Sequence, residues 1–308
     1  MTQLTAAQVL EKIAAGESLT RAELSHINLQ GQSLDRAKFL GTYLRTADFT
    51  RASCVECNFQ NAVLIRANFT EAVLVLANLS AANLTVACCK RANLREALCI
   101  DAQMHGILLV DADATRANFE GADLTEAIAT GANFSGAALA RSHLGAGNFE
   151  RANFSGANLY RANMRAAILD STNWDKADLS ASVLTQAQFT NADLSRASCI
   201  GAYLRAAKLI DTHCRQTDLT DANLEAALLK DLDCTDASLF GVNLEGATLE
   251  DINFTRADLQ DANCEGTSWH GCLFDGTKVD NAVFTDAKGL SAEQRKYLLD
   301  NGALNVPN

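Results

Sequence analysis

The residues of this chain that could do chemistry are few and dispersed. Histidine occurs at His26, His105, His143, His213 and His270. An imidazole acts as a general base or a metal ligand only beside a carboxylate, a nucleophile or further ligands. None of the five has a Cys, His or carboxylate at a recognisable metal-ligand spacing. The ten cysteines are scattered from Cys54 to Cys272, and only the adjacent pair Cys88 and Cys89 resembles a thiol cluster. No glycine-rich phosphate loop is present, since Gly145-Ala146-Gly147 lacks the dinucleotide fingerprint. Catalysis needs convergent groups in a water-poor cleft. The sequence offers no such set, and the expectation is a protein that is no enzyme, with no catalytic residue, metal or cofactor.

Charge is distributed unevenly. The net formal charge is −11. Residues 1–210 hold 19 basic and 19 acidic side chains, residues 211–286 hold 4 and 16, and residues 287–308 hold 3 and 2. The excess acid therefore lies in one block, where Glu225, Glu245 and Glu265 recur every twenty residues. Two roles compete for it. Net charge keeps a surface soluble and blocks edge association, or the acidic end docks a basic partner surface. Direct nucleic-acid binding is disfavoured, because phosphates would be repelled and no basic stripe exists.

The elements that must position these residues follow from a period of five. All 53 positions from Leu24 to Phe284 at that stride are Leu, Phe, Cys, Met, Ala, Trp or Val. The residue two before each is small or apolar at every place but Gln32, Ala in 36 cases, and none of these 106 positions holds Asp, Glu, Lys or Arg. Neither the helical period of 3.6 nor the strand period of 2 fits. Such a repeat marks a solenoid with two residues in five facing a dry interior, from which unpaired charge is excluded by its desolvation cost. Nine of the cysteines fall on inward positions and read as small buried hydrophobes; Cys88 alone is outward. All five histidines are outward.

Five residues that turn the chain through about a right angle give four sides, closing a coil every twenty residues. Centres at 24, 44, 64 and onward to 244 are all Leu or Met, which supports that superperiod. Coils then stack at about 4.8 Å, the strand spacing. By that register His105 and His143 share a side two coils apart, about 10 Å, too far for a joint site. Most glycines fall two after a centre, where a corner calls for positive φ.

Ala-Asn-Phe-Thr-Glu at 67–71, Ala-Asn-Leu-Ser-Ala at 77–81, Ala-Asp-Leu-Thr-Glu at 122–126 and Ala-Asn-Phe-Ser-Gly at 152–156 carry a resemblance to the pentapeptide-repeat family. It covers about residues 20 to 287. It implies an all-β fold, the right-handed quadrilateral parallel β-helix of that family. The left-handed hexapeptide helix needs a period of six, which is absent.

Open solenoid edges invite polymerisation, and each end has a plug. Thr5 to Gln8 reads as a capping box opening a helix through Val9, Leu10 and Ile13, with Gly16 ending it. Ser291 to Gln294 repeats the signature before Tyr297, Leu298 and Leu299, followed by Gly302. The expected organisation is a capping helix in 1–19, the repeat in 20–287 without a linker, and a second capping helix with a tail in 288–308. Capping is the main role of the second helix; a homodimer contact is the alternative. With no targeting segment and no apolar run long enough to span a bilayer, the expectation is a cytoplasmic protein that does not enter membranes.

Outward aliphatic residues are the remaining anomaly. Leu98, Ile100, Leu108 and Val110 make one segment unusually apolar, and Leu108, Val110 and Ile128 should neighbour one another on one side. Val73, Val75 and Leu76 group on a different side. With a filled interior, function moves to the exterior: a rigid rod presenting its faces to an unidentified protein partner, through the Glu225, Glu245 and Glu265 column or the Leu108, Val110 and Ile128 patch. The resemblance adds an alternative, since the family's quinolone-resistance members mimic DNA and bind DNA gyrase; here the acidic carboxyl-terminal coils would serve. A scaffold or effector delivered by a secretion machine would leave no mark in these residues.

Overall fold

The computed structural model describes residues 4–308, in two compact units, Met1–Asn158 and Leu159–Asn308. Each unit is built from coils of a right-handed quadrilateral parallel β-helix, in which a residue pairs in parallel with the one twenty later, as in Ser33↔Ser53 and Asp258↔Lys278. The pairing residue lies between the two inward residues of its pentapeptide, so one bridge per side holds neighbouring coils together. On one side of the second unit the bridges lengthen into strands β1 (Gln188–Thr190), β2 (Lys208–Ile210), β3 (Leu228–Lys230), β4 (Thr248–Glu250) and β5 (Ser268–His270), ordered as a parallel five-stranded sheet.

Three local devices recur at most corners outside the side that carries β1–β5. The carbonyl of a centre accepts from the amide three residues on, as Leu34 does from Ala37 at 2.9 Å. The residue between takes positive φ, +64° at Arg36, whose own amide donates to Val55 in the next coil at 2.8 Å. This is the pattern of a type II turn. Asn or Asp before the centre closes the side, its Oδ1 accepting from the amide two residues on: Asn28 from Gln30, Asp48 from Thr50, Asn263 from Glu265, at 2.9–3.1 Å. Positive φ is not confined to glycine, for Arg51, Glu71, Asp111 and Ala226 all adopt it. An L-residue there costs about 1–2 kcal/mol, which the inter-coil hydrogen bond offsets in part.

The inward columns fill each coil. Phe39 stacks on Phe59 at 5.0 Å, Phe49 on Phe69 at 4.6 Å and Phe134 on Phe154 at 5.0 Å, each pair twenty residues apart. The buried polar inward residues other than Ser182 bond to carbonyls: the Thr42 hydroxyl donates to Leu19 and that of Thr217 to Leu194, both at 2.8 Å. Where the centre is tryptophan, the residue two before is threonine. Trp174 Nε1 donates to Thr172 and Trp269 Nε1 to Thr267, each at 2.7 Å. Two inward positions of the first coil depart from the expectation: Gln32 is exposed and Ala22 half-buried. That coil has a neighbouring coil on one face only, so no second coil stacks on these side chains.

Both expected caps form. Helix α1 (Ala6–Ala14) opens with the Thr5/Gln8 capping box and buries Val9, and helix α2 (Ala292–Asp300) opens with the Ser291/Gln294 box and buries Leu298. Gln294 Nε2 donates to the Cys272 carbonyl at 2.7 Å and the Tyr297 hydroxyl to Thr277 at 2.9 Å, fixing α2 on the last coil. The chain then returns to pair Leu304 with Val283. No described helix is long and apolar enough to cross a membrane.

Candidate functional site

The acidic residues of the second unit stand on two kinds of column. Glu225, Glu245 and Glu265 lie one past their centres and stack in consecutive coils, as the amide of Ala226 donating to the Glu245 carbonyl at 2.8 Å records. Each is pinned by an asparagine two residues earlier, Asn223, Asn243 and Asn263. The ladder is not purely acidic: Glu225 pairs with Arg205 of the preceding coil at 3.2 Å. Glu245 and Glu265 are exposed and have no ion pair among the described residues. A second column, Asp211, Asp231 and Asp251, occupies consecutive corners at positive φ. It was legible as the same spacing of twenty, shifted to the corner position.

The four basic residues of the acidic block are all spent on cross-coil pairs: Arg215 with Asp233, Lys230 with Glu250, Arg256 with Asp236 through two bonds, and Lys278 with Asp258. Hydrogen bonding from Arg256 holds the Asp236 carboxyl below its usual range, and that from Lys230 does the same to Glu250. In the first unit Glu71 lies between Arg51 and Arg91, and its carboxyl is lowered chiefly by the Arg51 bond. Glu245, Glu265 and the corner residues Asp211, Asp231 and Asp251 make no ion pair among the described residues, but the Lys230 ammonium is felt by Asp231 and Asp251 as well as by Glu250, and the corner residue Asp236 is held by Arg256.

Of the expected aliphatic residues, Leu108 and Ile128 are adjacent in the first unit. Leu108 pairs with Cys88 on one side and Ile128 on the other, with Ile128 exposed and Leu108 and Val110 half-buried. Val86, at the adjoining corner, extends the pair. Sequence reasoning missed a second exposed apolar set, in the other unit: Tyr160, Ile200 and Phe240 on one column, with Tyr203 just around the corner from Ile200. Its signal was an apolar residue one past the centre every forty residues, hidden by the shorter period.

Nothing gathers the remaining chemistry. His26 Nδ1 lies 2.5 Å from the Thr46 hydroxyl and His105 Nε2 lies 3.7 Å from Glu126. Among the described residues no three His, Cys, Asp or Glu side chains meet as a metal site. The inward cysteines are buried, and burial pushes the Cys99 and Cys199 thiols up to about 12 and Cys272 up to about 11. Such thiols stay protonated and inert at neutral pH.

The family model described as pentapeptide repeats (8 copies) matches the chain in overlapping stretches from 18 to 288. No curated protein sequence matches it. Solved structures include HetL, a pentapeptide repeat protein involved in heterocyst differentiation regulation from the cyanobacterium Nostoc sp. strain PCC 7120. It is 25% identical over 91% of this chain and 97% of its own, with a TM-score of 0.27. A trypsin-treated form of QnrB1, a plasmid-mediated fluoroquinolone resistance protein, is 20% identical over 61% and 85%, with a TM-score of 0.24. Rfr23, a pentapeptide repeat protein from the cyanobacterium Cyanothece 51142, is 25% identical over 44% and 65%, with a TM-score of 0.16.

Proposed function

Because the chain belongs to the pentapeptide-repeat family, generally non-enzymatic solenoids, we propose that it is a non-enzymatic interaction scaffold. Its outer faces present side chains to a protein partner. The observation that carries this reading is the packing of the inward columns, where rings twenty residues apart stack at 4.6–5.0 Å. Inward side chains are committed to the interior, and recognition falls to the outward residues. Those sit on a frame held by backbone bridges, side-chain ladders and cross-coil ion pairs, so little ordering entropy is lost when a partner docks. The working compartment is the cytoplasm, and self-association through α2, where Leu299 is exposed, is the alternative to a foreign partner.

The test is site-specific photo-crosslinking in the source cell, with the probe at Ile128 or Glu245 in turn. A discrete protein adduct from either position, lost when Leu108→Ser and Val110→Ser or Glu265→Gln is added, supports the scaffold. Adducts that ignore these substitutions, at both positions, reject it.

One observation favours a second reading. Glu245, Glu265, Asp211, Asp231 and Asp251 form acidic columns in consecutive coils with no ion pair among the described residues and with Lys230 as the cation beside the aspartates, as a protein imitating the charge of DNA would require. Under it the acidic coils bind DNA gyrase or a related topoisomerase. A supercoiling assay that shows no change at micromolar protein removes this alternative.

A further inference from the structure

The side of the second unit that carries Tyr160, Ile200 and Phe240 is the least explained surface of the protein. These residues, 38%, 43% and 39% exposed, recur every forty residues on one column. Ser180, Thr220 and Gln260 occupy the alternate coils of that column. Large apolar knobs thus alternate with polar residues, with the short Ser180 and Thr220 in the two gaps, a comb whose teeth are two coils apart, about 10 Å at the strand spacing. The gaps make no demand of their own: the Ser180 hydroxyl lies 2.9 Å from that of Ser198, and Thr220 donates to Asp218 at 2.6 Å. Arg161 sits over the Tyr160 ring at 5.0 Å and closes one end of the comb.

Charge differs on the two borders. On one lie the corner residues Asp221 and Asp261, in a column that begins with Arg161, and one full side further on stand Glu245 and Glu265; none of these four acids has an ion pair among the described residues. On the other, Arg196 and Arg256 are engaged by Asp175 and Asp236. Tyr203, 53% exposed, stands beside the acidic border. Stability alone favours neither three exposed apolar knobs nor stacked unpaired carboxylates.

We propose that this comb docks an amphipathic α-helix of a partner protein, apolar residues seated between the teeth and lysine or arginine facing the acidic border. The helix repeats a face every seven residues, a rise of about 10.5 Å, close to the tooth spacing. Extended strands are disfavoured because main-chain groups on this side already bond between coils, as the Ile200 carbonyl does with Ala181 at 2.8 Å. A partner must therefore use side chains. The proposal rests on the scaffold reading and gives it one face and one kind of partner.

The experiment uses the full chain and a synthetic helical peptide with leucines seven residues apart and lysines along one flank, followed by fluorescence anisotropy at low salt. Binding is expected, with protection of Tyr203 and Phe240 in hydroxyl-radical footprinting. Ile200→Ser with Phe240→Ser should weaken it about tenfold or more, as removal of anchor residues does. That variant places serine where Ser180 already stands, and its unfolding midpoint should match the parent's. Asp221→Asn with Glu245→Gln and Glu265→Gln should slow association and flatten its salt dependence, and a peptide with glutamate for lysine should bind at least about tenfold more weakly. Peptide binding that survives Ile200→Ser with Phe240→Ser overturns the assignment of this face and leaves the scaffold reading standing. No binding to the parent chain also overturns it, and the crosslinking at Ile128 and Glu245 then decides the scaffold separately.

Discussion

Arg205 and Glu225 meet at 3.2 Å across neighbouring coils, so a column that repeats glutamate every twenty residues begins with a cation. Above that pair Glu245 and Glu265 repel each other without compensation. Like charges facing each other on adjacent strands destabilise by a few tenths of a kcal/mol. Glu245→Gln should therefore raise stability by about 0.3 kcal/mol and Arg205→Gln should lower it by a similar amount. Urea unfolding in low salt measures both shifts, and both should shrink in about 1 M salt, where the Debye length is about 3 Å.

Acid should weaken the cross-coil pairs in a defined direction. Glu71, Asp236 and Glu250 have folded pKa values lowered by their Arg51, Arg256 and Lys230 bonds. Each contributes its stability in full above its ordinary value, 4.5 for the glutamates and 3.8 for Asp236. Each loses it as pH falls through the lowered folded value. The thermal midpoint should fall as pH drops below 4.5, and Glu250→Gln should make that fall shallower. A midpoint that rises on acidification contradicts the pairing.

Ser182 is the one residue among those described whose buried side-chain oxygen has no hydrogen-bond partner. Alanine fills the same position in most coils, so Ser182→Ala should stabilise by about 1 kcal/mol through relief of an unsatisfied hydroxyl. Thr172→Val should do the reverse. It strands the Trp174 Nε1–H that now donates at 2.7 Å, at a loss of about 1–3 kcal/mol. Calorimetry of the two variants gives opposite signs.

Glycine is needed at some corners and dispensable at others. A Cβ on Gly289, at φ +81°, would lie 2.1 Å from the backbone oxygen of Trp269. A Cβ on Gly246 would meet nothing within 4 Å, and Ala226 already holds that corner one coil earlier at φ +55°. Gly246→Ala should cost about 1–2 kcal/mol, whereas Gly289→Ala should in addition shift the backbone that leads into α2. Amide exchange across Ala292–Asp300 should rise in the second variant alone.

Cys88 is the half-buried thiol of the ten, 3.2 Å from the Thr70 hydroxyl. A thiol reagent applied to the folded protein should modify it first, with the others released on unfolding. Cys88→Ser should remove the early phase, read by absorbance of the reagent.

The columns, the turns and both capping boxes were legible because each depends on neighbours close in sequence. Leu34, Arg36 and Ala37 make a corner among themselves, and Asn28 closes its side on Gln30. The candidate surfaces were legible in part. Leu108 and Ile128 are twenty residues apart, and counting in that register brings them together. The Arg205–Glu225 pair was not legible because the carboxylate a flexible guanidinium reaches is set by side-chain geometry across coils, and the comb was not because its period is twice that of the coil.

By itself the sequence determined which side chains are inward and that coils close every twenty residues, since a charge cannot be buried unpaired and the stride of five never slips. Only the tertiary structure decided which acids keep a free charge. A flexible arginine on an outward position has carboxylates within reach in its own coil and in the neighbouring ones. Side-chain geometry across coils, invisible to any local pattern, selects Asp236 for Arg256 and leaves Asp251 with no such partner. Exposure of Ile200 and Phe240 was settled in the same way, by what the coils above and below place beside them.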